Sequence, residues 1–163
     1  MRLLLMRHAN TEKPNNKSDF DRLLTEKGKL EATGAAAFLG DHQIDKIIIS
    51  YAKRTMQTAK IIQEQVEIAE VEIATELYQS DQDSAMELLS AQEDRNKHIL
   101  VVGHNPLIYN LALDLSNSQS KEYEILIDSS MPTARVVIVD FPTIHSWEAL
   151  NTIKGDIIEI FTP

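Results

Sequence analysis

Three short apolar runs constrain most of what this chain can fold into. Leu3-Leu4-Leu5-Met6 leads into Arg7-His8-Ala9, and Ile47-Ile48-Ile49 leads into Ser50 and then Arg54. Ile99-Leu100-Val101-Val102-Gly103 leads into His104-Asn105-Pro106. Each run is too short for an ordinary helix and has no polar interruption. A strand without apolar–polar alternation must bury both faces, as in a parallel sheet covered by helices. In such sheets ligands gather where the strands end at their carboxyl edge. Two imidazoles and two guanidiniums are therefore expected on one rim, a set suited to a phosphoryl group.

The remaining pattern alternates between helix and strand. Strand one covers about 2–6, and a polar loop follows over 10–24, with Pro14, Asn15, Asn16 and Ser18-Asp19 as turn formers. Thr25-Glu26-Lys27-Gly28 opens a helix with Leu30, Thr33, Gly34, Ala37 and Phe38 as its inner stripe, ending at Gly40 or Asp41. Its alanines and Gly34 imply close approach to the sheet. A strand at 44–50 precedes a helix at 53–66 whose apolar face carries Met56, Ala59, Ile62 and Val66. Residues 71–77 alternate at period two and read as extended. A short helix at 83–91, a strand at 99–103 and a helix at 107–115 follow. In the last third, 122–127, 134–141, 146–153 and 157–161 read as strands paired antiparallel through tight turns, Lys154-Gly155-Asp156 being one. The expectation is one α/β domain over 1–163, with a mostly parallel central sheet, helices on both faces and antiparallel C-terminal strands.

Charge narrows the partners. With 25 acidic against 16 basic residues the net charge is −9, which disfavours nucleic acid or an anionic membrane as partner. Arginines beside histidines in so acidic a chain point to a local anion pocket. No apolar stretch approaches the roughly 20 residues that span a bilayer. The start runs straight into a core strand without a cleavage site, so a cytoplasmic location is expected. Zero cysteines exclude disulfides and thiolate chemistry.

Each motif has its own chemical logic. A neutral imidazole at position 8 can attack phosphorus directly, forming an N-phosphoryl enzyme. Arg7 supplies a planar fork matching two phosphoryl oxygens. Gly103 permits close approach of backbone or ligand, Pro106 can open a helix, and His104 is expected to face His8 across the phosphoryl group and stabilise its charge. Arg54 lies near a helix amino terminus, itself attractive to anions. His42, His98 and His145 lack such placement.

Taken together, Arg7-His8-Ala9, Ser50-x3-Arg54-x2-Gln57-Thr58-Ala59 and Gly103-His104-Asn105-Pro106 resemble the histidine phosphatase superfamily, the group containing the phosphoglycerate mutases. The short length and the run Asp19-Phe20-Asp21-Arg22-Leu23-Leu24-Thr25-Glu26-Lys27-Gly28 are similar to SixA-type protein phosphohistidine phosphatases. The resemblance runs from residue 1 to about 140. It implies that His8 is the nucleophile and that Arg7, Arg54 and His104 form the phosphate pocket, with Asp19 and Arg22 at the rim as binding residues. Asp21 and Glu26 read as solvated. Ala9 replaces the superfamily's usual Gly, which the SixA-like branch tolerates. Longer members insert a cap carrying a general-acid carboxylate. Here no sizeable insertion fits between Thr58 and Ile99, and Glu76 is the nearest acid in register.

An uncapped site is open, which suits a phosphoryl group carried on a protein surface better than a small metabolite. Phosphohistidine leaves as an imidazole from a labile P–N bond, so it needs a general acid less than an ester does. The expected function is a metal-independent, cofactor-free phosphatase working through a phosphohistidine enzyme intermediate. Its expected partner is a protein phosphohistidine carrier. A phosphatase of small phosphate esters, such as a sugar phosphate or nucleotide, stands as the alternative, as does a non-catalytic phospho-ligand module. The last has no need of a nucleophile. His8 and His104 lack a companion carboxylate cluster or His-x3-His spacing, which weakens a metal reading. Asn10, Thr11 and the 13–17 loop are expected to shape the rim.

Overall fold

Strands β1 (Arg2–Arg7), β2 (Lys46–Ser50), β3 (Glu70–Ala74) and β4 (His98–Gly103) pair in parallel. At one side β5 (Val136–Asp140) pairs antiparallel with β1, and β6 (Asp156–Phe161) antiparallel with β5, giving the order β3-β2-β4-β1-β5-β6. The computed structural model describes residues 1–13, 18–78 and 81–163. The turn formers Pro14, Asn15 and Asn16 lie outside the described residues.

The unbroken apolar runs follow from the two-sided burial. Leu3 and Leu5 pack with Ile99 and Val101 on one face of the sheet, with α3 (Gln82–Ser90), α4 (Leu107–Leu115) and Leu126 of α5 (Lys121–Ser129). Leu4 and Met6 pack with Leu100 and Val102 on the other, against α1 (Glu26–Leu39) and α2 (Lys53–Gln63). Successive strand side chains point to opposite faces, so both faces require apolar residues. The mixed sheet with helices on both faces is the expected fold class.

Several local expectations are corrected. Residues 122–127 are not a strand. They belong to α5, which Ser120 caps by accepting a hydrogen bond from the Tyr123 N–H, and Tyr123 and Leu126 form its inward i, i+3 pair. Ile125 and Ile127, though apolar, face solvent. Residues 146–153 form a 3-10 turn at Trp147–Asn151 instead, burying Trp147 and Leu150, with the indole N–H donating to Asn96 O at 2.8 Å. Lys154-Gly155-Asp156 is consequently no hairpin turn: Gly155 bridges in parallel to Ser116 and donates to Leu115 O at 2.8 Å. The extended segment 71–77 stops at Ala74 and closes in a 3-10 turn over Thr75–Leu77.

Helix α1 is rotated from the expected stripe. Its buried residues are Gly28, Ala32, Ala35, Ala36 and Leu39, whereas Leu30 is 75% exposed. The small residues face inward because α1 packs closely on its neighbours. Gly28 marks the tightest point, since a Cβ there would lie 2.0 Å from Asn10 O. Helix propensity alone makes Gly→Ala stabilising by roughly 1 kcal/mol. The structure reverses that sign. Gly28→Ala should destabilise the fold by about 1–3 kcal/mol, as overpacking does, read as a fall in melting temperature. A raised melting temperature would contradict the packing described.

Candidate active site

The β1–β4 register sets Arg7 opposite Gly103, and His8 N–H continues the ladder by donating to Gly103 O at 2.9 Å. His8 and His104 therefore leave adjacent strands side by side, with ring centroids 5.2 Å apart. Arg54 arrives from the first turn of α2, immediately after β2. His8, Arg54 and His104 are all buried. With Arg7, Asp19 and Arg22 they line one cavity of about 300 Å³.

The hydrogen bonds define the state of each ring. His8 Nδ1 lies 2.8 Å from Ala9 O. A carbonyl can only accept, so Nδ1 carries the proton and Nε2 keeps its lone pair. That leaves Nε2 as the ring nitrogen able to donate an electron pair. His104 Nδ1 accepts from Arg54 Nε at 3.2 Å, so its Nε2 holds the proton and donates to Ser50 Oγ at 2.9 Å. Both nitrogens of His104 are thus engaged. In this arrangement the ring holds Arg54 in place rather than offering an N–H to an anion.

Burial and the neighbouring guanidiniums keep both imidazoles neutral. Burial lowers His8 to about 4, Arg54 and Arg7 adding to the effect against the opposing Ala9 hydrogen bond. Burial lowers His104 to about 3, reinforced chiefly by Arg54.

The arginines divide the donor work. Arg7 Nη1 donates to Met131 O at 3.0 Å, while its buried Nε has no hydrogen-bond partner among the described residues. Arg54 Nη1 and Nη2 donate to the backbone oxygen and the Oδ2 of Asp19, at 2.6 and 2.9 Å. Arg22 Nη1 reaches Asp19 Oδ1 at 3.1 Å. Asp19 is thus in the cavity as the arginines' partner. Burial pushes its carboxyl up, but hydrogen bonds from Arg22 and the charge of Arg54 outweigh this and hold it below the usual range.

Glu76 is not brought in. It is exposed on the 3-10 turn after β3, beside Thr75 Oγ1, and does not line the cavity. Tyr78 takes that position, its OH donating to Asp19 Oδ2 at 3.2 Å and its ring edge-on to His104 at 5.6 Å. Asn105 also lines the wall and donates to Met131 O, the acceptor it shares with Arg7. Tyr78 carried no sequence signal, because an aromatic after a strand is ordinarily core. Gly103 opens no path to a ligand: a Cβ there would meet Ile108 at 2.8 Å. Thr58 and Gln57 also gain functions. Thr58 Oγ1 accepts from Ala9 N–H at 3.1 Å, and Gln57 Oε1 from Leu24 N–H at 2.8 Å, tying both ends of the rim loop to α2. His42, His98 and His145 stay outside the cavity. Asp21 pairs with Lys53 and Glu26 with Lys29 at the surface, where the Glu26 side chain is 88% exposed, and neither lines the cavity.

Comparison with known proteins agrees with this geometry. The sequence model of the histidine phosphatase superfamily (branch 1) matches residues 3–83, the stretch holding Arg7, His8, Asp19, Arg22 and Arg54. The chain belongs to the histidine phosphatase superfamily. An uncharacterized protein of Mycobacterium leprae is 27% identical over 97% of this chain and 99% of its own length. A structure named as the phosphohistidine phosphatase SixA of Nakamurella multipartitia superposes with a TM-score of 0.86 at 25% identity, covering 99% of this chain and 95% of that one. The protein histidine phosphatase SixA complexed with tungstate shares the fold, with a TM-score of 0.80 at 21% identity over 99% and 97% of the two chains. The family match and the Nakamurella likeness support phosphatase activity.

Two outcomes follow for this chain. In an NMR titration the His8 and His104 rings should stay neutral at pH 5 and above, titrating near 4 and 3. Because both folded values lie below the unfolded value of about 6.5, the unfolded chain binds more protons. Stability should therefore fall as pH drops from about 6.5 towards 4. Either ring titrating near 6.5 would refute the buried neutral pair. Arg54→Lys should cost about 2–4 kcal/mol of transition-state stabilisation, a roughly 30- to 1,000-fold loss in kcat/KM. A single ammonium cannot serve His104 Nδ1, Asp19 and a phosphoryl group together. Unchanged turnover would remove Arg54 from the reaction.

Proposed function

We propose that this chain dephosphorylates phosphohistidine in proteins, using His8 as a covalent acceptor. The lone pair of His8 Nε2 attacks phosphorus, the substrate's P–N bond breaks, and its electron pair returns to the departing imidazole. Water then attacks the phosphoryl group on His8. The new P–N bond breaks, Nε2 recovers its lone pair, and inorganic phosphate leaves with the water's protons shared with solvent. The neutral state of His8 supports the first step, since a protonated imidazole has no lone pair to give. The guanidiniums of Arg7 and Arg54 stabilise the equatorial charge that develops in both steps.

The observation that carries the substrate class concerns proton donors. Among the described residues lining the cavity, Asp19 is the carboxyl, and three donors hold it ionised. An ionised carboxylate cannot protonate a departing alkoxide. An ester substrate needs that proton; an imidazole leaving group needs it far less. The span between α2 and β4 is occupied by β3, a 3-10 turn and α3, with no inserted lid among the described residues. The cavity therefore stays open to a phosphoryl group presented on a protein surface.

Turnover of a phosphohistidine-bearing protein should exceed that of sugar phosphates and should persist in EDTA, because the guanidiniums already balance a charge near −2. Rapid alkaline quench should trap an acid-labile phosphoryl group on the peptide containing His8, and His8→Ala should trap none. A sugar phosphate turned over much faster, or activity abolished by chelation, would overturn this function.

A further inference from the structure

Asp19 presents a problem for a phosphate pocket: it places a negative charge among the groups meant to hold an anion. Arg54 spends its Nη1 and Nη2 on Asp19 and its Nε on His104. Arg22 Nη1 takes the second carboxylate oxygen, and the Tyr78 hydroxyl shares the first. Both oxygens are thus bound by donors that line the cavity. A carboxylate and a phosphoryl group offer a guanidinium the same kind of acceptor edge, so they compete for these N–H groups.

We propose that Asp19 is a built-in competitor for the phosphate position, matching the pocket's charge to a phosphoryl dianion and preventing retention of the inorganic phosphate product. The inference rests on the reading of the cavity as a phosphoryl site. Arg7, Arg22 and Arg54 contribute three positive charges around it, and Asp19 returns one negative charge. The net of about +2 balances a dianion, whereas +3 would hold phosphate beyond what turnover tolerates. When product release limits turnover, tighter product binding slows the enzyme.

The placement suits an exchangeable ligand. The Asp19 side chain is 56% exposed although its partner Arg54 is 6% exposed, so the carboxylate can turn to water while the guanidinium stays fixed. Asp19 sits on a three-residue 3-10 turn anchored independently, through Ser18 Oγ on Asp21 and Lys53 on Asp21. The backbone bond from Arg54 to Asp19 O holds the turn when the carboxylate lets go.

A merely structural role predicts the opposite sign. If Asp19 only braced the arginines, its loss would loosen them and weaken anion binding. The test is isothermal titration of the full chain with inorganic phosphate, comparing wild type with Asp19→Asn and Asp19→Ser. Thermal unfolding of each variant establishes that it is folded; two substitutions guard against one failing. Phosphate should bind roughly five- to twenty-fold more tightly to both variants, the size expected from removing a unit charge at hydrogen-bonded range under near-water screening. In turnover, KM and the product-inhibition constant for phosphate should both fall, with kcat reduced. Unchanged or weaker phosphate binding in the variants, with wild type still binding, overturns the role of Asp19 alone. A chain that binds phosphate in none of its forms overturns the phosphoryl site itself, and this inference with it.

Discussion

Backbone pairing between β1 and β4 is the constraint on which the rest of the site depends. Its register places Arg7 beside Gly103 and allows His8 N–H to bond Gly103 O, so the two imidazoles emerge next to one another. A one-residue slip would send every side chain of the strand to the opposite face. The apolar content of both faces fixes the register, since Leu3 and Leu5 fill one core and Leu4 and Met6 the other. Core packing and the geometry of the cavity are here one constraint.

Desolvation then turns placement into chemistry. Buried among arginines, an imidazole is kept neutral, because an added proton would be both unsolvated and repelled. The same burial makes each polar contact directional. Ala9 O fixes the tautomer of His8, and Arg54 Nε fixes that of His104. Ser50 and Thr58 join this network from β2 and α2, so the second motif acts as the frame that holds the first and third. Asp19 completes the charge balance from a turn outside the sheet.

Much of the fold was legible because two-sided burial writes itself into composition. The runs at Leu3–Met6 and Ile99–Val102 could be read as parallel strands, and α4 at Leu107–Leu115 emerged with its expected bounds. Legibility failed where local pattern was ambiguous. Glu122 to Ile127 reads as a strand, yet the Ser120 cap and the Tyr123–Leu126 pair make it a helix. In α1 the larger residues suggested the wrong face, because close packing there selects alanine and glycine over Leu30. Glu76 looked like the acid in register, but the 3-10 turn after Ala74 rotates it to solvent and brings Tyr78 to the cavity.

The sequence by itself determined the sheet's parallel core, the strand-end residues Arg7, His8 and His104, the helix-start residue Arg54, and the family they mark. These depend on hydrophobic pattern and on neighbours along the chain, both of which a linear string carries. Only the tertiary structure decided which nitrogen of each histidine carries the proton, that His104 holds Arg54, that Asp19 pairs with Arg54, and that Tyr78 rather than Glu76 enters the cavity. Those outcomes depend on contacts between residues such as Asp19 and Arg54, or Ser50 and His104, which are 35 and 54 positions apart. Hydrogen-bond direction and desolvation exist only once such residues meet in a water-poor space.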